Sequence, residues 1–61
     1  MFNLSIERQR KKLTQQALAE KLGVSRNMIA RYESGLSIPP VDRLKRLSEI
    51  LEVTMDYLSE E

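Results

Sequence analysis

The chain has neither cysteine nor histidine among its 61 residues. That removes disulfides, thiol chemistry and ordinary zinc sites. No cofactor or metal is expected. No apolar run approaches membrane-spanning length, and no signal-peptide core follows Met1. A soluble cytoplasmic protein without a membrane partner is therefore the expectation. The length makes one domain, residues 1–61. A chain this short buries only about 60% of the surface its unfolded form exposes, so it is marginally stable without help. The usual aids are disulfides, a metal or a partner chain. With the first two excluded, self-association is expected, as a homodimer. Too little chain remains to enclose a substrate, and most carboxylates fall on solvent faces, so an enzyme is not expected.

What is present is unevenly distributed. The formal net charge is +1, yet residues 1–32 carry seven Lys or Arg against two Asp or Glu, while residues 33–61 carry three against seven. A basic half and an acidic half fit one face for nucleic acid and another for protein. A short chain with many charges also shows such a dipole by chance, so the asymmetry counts only beside a motif.

One helix-entry signal occurs three times. An apolar residue precedes a Ser or Thr, and a second apolar residue follows four positions after the hydroxyl. The instances are Leu13-Thr14 with Leu18, Val24-Ser25 with Ile29, and Val53-Thr54 with Leu58. Each hydroxyl can cap orphan N–H groups at a helix start, and each apolar pair can close as a staple. Gly23 and Gly35 supply left-handed stops. The loop 36–39 follows, and Pro40 suits the first turn of the next helix. Five helices are predicted. The first covers roughly 3–11, with Phe2, Ile6 and Leu13 as its stripe. The second covers about 15–22 and the third about 26–34. The fourth covers about 40–51, with Val41, Leu44, Leu47, Ile50 and Leu51 as its apolar face. The fifth starts after Thr54. No strand signal or repeat appears.

Residues 13–35, LTQQALAEKLGVSRNMIARYESG, read as two short helices joined by a tight turn. Ala19 is the small residue that lets two crossing helices approach. Leu18, Leu22, Val24, Ile29 and Tyr32 fill the wedge between them. Arg26, Asn27 and Arg31 lie on the face that does not pack, which is how a helix-turn-helix presents a reading helix to the major groove.

With LTQQALAEKLGVS, IARYESG and PPVDRLKRLSEILEVTMDYL in place, the sequence resembles the phage-repressor (Xre/Cro/cI) helix-turn-helix family over residues 13–58. The resemblance implies an all-α, compact five-helix lambda-repressor-like DNA-binding domain. It also implies residue roles. Gln15 would set a side chain and backbone N–H against a phosphate at a helix N-terminus, which favours an anion in any family. Ser25, Arg26 and Asn27 would enter the groove deepest, with Arg26 on guanine O6/N7 and Asn27 on adenine N6/N7. Arg31 would read a base or hold a phosphate, and Ala30 would touch a thymine methyl. Met28 falls among the backbone-facing positions, where relatives often have Ser or Thr. Arg8, Arg10, Lys11 and Lys12 would lie near the phosphate path and add sequence-blind affinity. Arg26 and Arg31 would equally well solubilise a helix surface; the outward aim of the scaffold favours the DNA role. Asn27 also suits a first helical turn for local reasons. Tyr32 is expected at the core edge.

The family pairs an acid at the Glu33 position with a first-helix arginine, and both Arg8 and Arg10 are candidates. Two departures stand out. Lys12 occupies a position where the family tends to have glycine, so the first connection is expected to be altered. Glu52 stands where relatives often have Gly or Asn, so either it is left-handed or the fourth helix ends differently. The family dimerises through its fourth and fifth helices, which makes Val53, Met55, Tyr57 and Leu58 interface candidates. Val53 and Leu58 also suit the intramolecular core. The expected function is a transcriptional regulator that binds double-stranded DNA as a dimer on a pseudo-palindromic operator, more simply as a repressor. The other readings are an antitoxin-type protein-binding module that represses its own operon, with an unknown protein partner, and a restriction-modification controller. The ending at Glu60-Glu61 fits either a whole protein or one domain of a longer regulator.

Overall fold

The computed structural model describes residues 2–60, with the side chain of residue 2 outside that description. The element order is α1 (Phe2–Arg10), α2 (Gln15–Leu22), α3 (Arg26–Ser34), α4 (Val41–Leu51) and α5 (Met55–Ser59). No strand occurs among the described residues. The three repeated entry signals open α2, α3 and α5. Thr14 Oγ1 accepts from the Ala17 N–H at 3.0 Å, Ser25 Oγ from Met28 at 3.2 Å and Thr54 Oγ1 from Tyr57 at 3.1 Å. The inner staple residues Leu18, Ile29 and Leu58 are fully buried, and the outer ones, Leu13, Val24 and Val53, pack against the same core.

The turns before these caps share one geometry. Lys12, Gly23 and Glu52 are all left-handed, with φ of 58°, 83° and 59°. The apolar residue after each donates five residues back, Leu13 to Arg8 O, Val24 to Ala19 O and Val53 to Ser48 O, at 3.0–3.1 Å. Left-handed residue, apolar staple, hydroxyl cap: the chain builds three of its four corners this way. Only one has the glycine that avoids a Cβ penalty. The first connection is therefore not altered by Lys12, because lysine adopts the glycine conformation. Glu52 likewise ends α4 in the left-handed state.

The core is Leu4, Leu18, Ala19, Ile29, Tyr32, Leu47, Leu51 and Leu58. Ala19 is fully buried, as a close helix crossing requires. Two apolar stripes differ from expectation. In α1 the inward positions are Leu4 and Glu7, while Ile6 is half-buried; the Phe2 side chain lies outside the described residues. Glu7 is tolerated inside because it accepts the Tyr57 hydroxyl at 2.9 Å. In α4 the first member of the stripe, Val41, is 74% exposed. Pro40 precedes the helix as its N-cap, with extended ψ of 163°, so α4 starts one residue later than expected and Val41 lies before the packed turns. No helix among the described residues is long and apolar enough to cross a membrane.

Candidate nucleic-acid interface

α3 is held at both ends by its own sequence, Ser25 at the start and Gly35 (φ 85°) at the stop. Its inner face is Ile29 and Tyr32, both buried. On a helix of 3.6 residues per turn, that leaves Arg26, Asn27 and Arg31 outward, and all three are exposed, with Ala30 half-buried beside them. Ser25 is exposed too; one lone pair of its Oγ accepts the Met28 N–H, which leaves the hydroxyl proton and a second lone pair.

Behind this face runs a polar chain that fixes its aim. Arg8 Nε donates to Glu33 Oε2 at 2.6 Å and Arg8 Nη1 to the Leu13 carbonyl at 2.7 Å. Glu33 Oε1 accepts from Gln15 Nε2 at 3.0 Å, and Gln15 Oε1 receives a long 3.5 Å contact from Arg26 Nη1. The Arg8 and Glu33 side chains are only 13% and 10% exposed. The brace therefore works in a partly dry environment, where a charged hydrogen bond counts for more than at the surface. It links α1, the α1–α2 turn, the start of α2 and the end of α3. At the far end, Arg31 Nε donates to Ser37 Oγ at 3.0 Å, and the Ser37 N–H donates to the Arg31 carbonyl at 3.2 Å. This ties the loop 36–39 to the reading helix.

The geometry divides the candidates. Arg26, Asn27 and Arg31, with Ala30 beside them, share the outer side of α3, and Gln15 at the start of α2 meets Arg26. Arg8 does not join them as a phosphate contact: its guanidinium is committed inward. It, and not Arg10, is the partner of Glu33. Arg10 is exposed and pairs loosely with Glu7 at 3.7 Å. Lys11 is drawn away to Glu52 at 2.6 Å, at the C-terminal end of α4. Met28 packs against the core and its N–H is taken by Ser25, so it has nothing to offer a phosphate. Leu58 is 0% exposed and cannot be an interface residue. Val53 packs on the core, and Tyr57 is held by Glu7 and, through its carbonyl, by Asn3 Nδ2 at 2.7 Å; both have intramolecular work. Met55 is half-buried.

Three features went unseen in the sequence. Leu36, Ile38 and Val41 are 72%, 85% and 74% exposed, an apolar trio around the loop beside α3. Their only signal was that Leu36 and Ile38 sit in a loop between a glycine and two prolines. Arg43 donates to the Tyr32 hydroxyl at 2.9 Å, a bond between helices that no local spacing announces. Leu4 is a core residue hidden in a charged first helix.

A family model described as Helix-turn-helix matches residues 4–58. The chain is 46% identical over 56 residues to YqaE of Bacillus subtilis (strain 168), named an uncharacterized HTH-type transcriptional regulator, covering 92% of this chain and 48% of that protein. It is 44% identical over 59 residues to the HTH-type transcriptional activator BcrR of Enterococcus faecalis, covering 93% and 29%. It is 33% identical over 45 residues to RstR of Vibrio cholerae, named a cryptic phage CTXphi transcriptional repressor, covering 74% and 40%. The chain thus spans about half the length, or less, of these relatives. No solved structure matches it at a significant level. With the match running through all five helices, the chain belongs to the phage-repressor-like (Xre/Cro/cI) helix-turn-helix family of DNA-binding transcriptional regulators.

Proposed function

We propose that the chain reads double-stranded DNA by sequence, as a homodimer on a pseudo-palindromic operator, and represses transcription from the promoter it occupies. The observation that carries this reading is the exposed row Arg26, Asn27 and Arg31 on a helix braced from behind by Arg8, Glu33 and Gln15. Arg26 matches the two acceptors of guanine and Asn27 the donor–acceptor pair of adenine. Ala30 reaches a thymine methyl, and Ser25 gives its hydroxyl proton to a base or phosphate at the groove edge. Gln15, at the N-terminus of α2, takes a phosphate; Arg10 adds salt-sensitive affinity. Repression is preferred because blocking polymerase needs occupancy alone.

Two reading helices must lie about 34 Å apart to enter successive major grooves on one face of the duplex. The Cα extents of one copy are 23 × 22 × 19 Å, so two copies at that spacing meet along a narrow edge. The exposed Leu36, Ile38 and Val41 supply apolar surface for that edge, with Met55 the remaining candidate at α5. Pairing of the two copies through this edge would be reinforced by binding of both to one duplex.

The test is selection from a random DNA pool at two salt concentrations, using the purified protein. The expected result is an enriched inverted repeat with half-sites one turn apart. The double substitution Arg26→Ala with Arg31→Ala should abolish enrichment and flatten the salt dependence. Binding that stays sequence-blind at both salts would overturn the reading.

A further inference from the structure

A second basic feature is lined by none of the α3 residues. Lys11, Leu13, Lys21, Arg46 and Ile50 line an open cleft of about 520 Å³. It sits between the α1–α2 turn, the last turn of α2 and the C-terminal half of α4. α4 starts next to the loop that follows α3 and runs about 16 Å from there, with Arg46 at its middle and Ile50 in its last turn. The floor is aliphatic: Leu13 and Ile50 are each only half-buried against the core. The rim is cationic. Lys21 and Arg46 are exposed and have no hydrogen-bond or ion-pair partner among the described residues.

The molecule shows what this rim accepts. Lys11 Nζ already holds a carboxylate, that of Glu52, at 2.6 Å. That pair joins the α1–α2 corner to the end of α4, across one side of the cleft. An incoming carboxylate would meet Lys21 and Arg46 free and compete with Glu52 for Lys11.

We propose that this cleft docks an acidic peptide segment of a partner protein, one that carries an aliphatic side chain between its carboxylates. Three cations around two aliphatic residues complement that chemistry. They fit nucleic acid poorly: no aromatic residue lines the cleft to stack on a base. A phosphate backbone would also leave Leu13 and Ile50 wet. The cleft shares no residue with the outer face of α3, Arg26, Asn27 and Arg31.

The test is a titration of the ¹⁵N-labelled chain with a six-residue peptide of alternating glutamate and leucine. The controls are its lysine–leucine counterpart, an all-glutamate peptide and inorganic phosphate. The glutamate–leucine peptide should shift the amides of Leu13, Lys21, Arg46 and Ile50 and leave those of Arg26, Asn27 and Arg31 in place. Lys21→Glu with Arg46→Glu should weaken it at least tenfold while duplex binding persists. Both side chains are exposed and unpartnered, so an unchanged thermal midpoint is expected; Lys21→Gln with Arg46→Gln gives a milder second pair. The proposal is overturned if no shift occurs at millimolar peptide or if shifts map to the reading helix. It is equally overturned if phosphate or all-glutamate peptide binds as well, or if the charge-reversed variant binds undiminished.

Discussion

The Arg8 guanidinium spends its donors on Glu33 and on the Leu13 carbonyl. Arg8→Ala leaves Glu33 short of its charged partner in a mostly buried place, so it should cost about 2 kcal/mol, read as a lower urea midpoint with an unchanged slope. Arg10→Ala, at a pair 3.7 Å apart and mostly exposed, should stay within about 0.5 kcal/mol. The choice between these arginines was not legible from the charged run alone. It depends on Leu4 facing the core, because Arg8 lies one turn along from Leu4 on the same side of α1 and Arg10 does not. Lys12 is the complementary case. The sequence flagged it as a departure from glycine, but not that lysine would adopt the glycine conformation. Lys12 has no partner to lose, so Lys12→Gly should stabilise the chain by about 0.5–1 kcal/mol through relief of the left-handed Cβ. A raised thermal midpoint would show it, and an unchanged or lower one would mean the corner is unstrained.

Helices are joined here by devices of unequal visibility. The hydroxyl caps and their staples were legible because each is written within six consecutive residues. The bonds between helices were not: Glu7 to Tyr57 spans α1 and α5, and Arg43 to Tyr32 spans α4 and α3. The first of these makes α5 docking pH-dependent. The hydrogen bond to Glu7 raises the Tyr57 pKa above the ordinary tyrosine value, with burial and the Glu7 charge adding to it. A raised pKa means the contribution is complete below the unfolded value of about 10 and is lost as pH rises through the folded value. Wild type should therefore lose thermal stability above about pH 10 more steeply than Tyr57→Phe. Parallel alkaline curves for the two would show the phenol to be uninvolved. At the other end of the scale, the Lys11 hydrogen bond and charge hold Glu52 below the ordinary glutamate value. Its contribution is present above that value and fades as pH falls through the lowered one; being exposed, it is small.

Across the molecule, the described residues include eight that form the buried core. A chain of this size has about 3–9 kcal/mol of stability in total, and Leu47→Ala, at a fully buried position, should remove about 2–5 kcal/mol of it. That variant should show a markedly lowered thermal midpoint. Operator at about 100 times its dissociation constant should return some 2.7 kcal/mol, so circular dichroism with and without duplex should separate a folding defect from a reading defect. The charge division of the two halves told of two faces, yet only the fold shows that basic residues from α2, α4 and the α1–α2 turn also line a cleft. One further property follows from the way Gln15 is held. The side chain nearest the α2 N-terminus bonds Glu33 firmly and Arg26 only at 3.5 Å. Freeing Arg26 for a base is then a single side-chain rotation, a matter of picoseconds to nanoseconds. No backbone rearrangement stands between encounter and recognition. On the proposed reading, Arg26 is therefore ready at first contact, and discrimination between sites falls on dissociation more than on arrival.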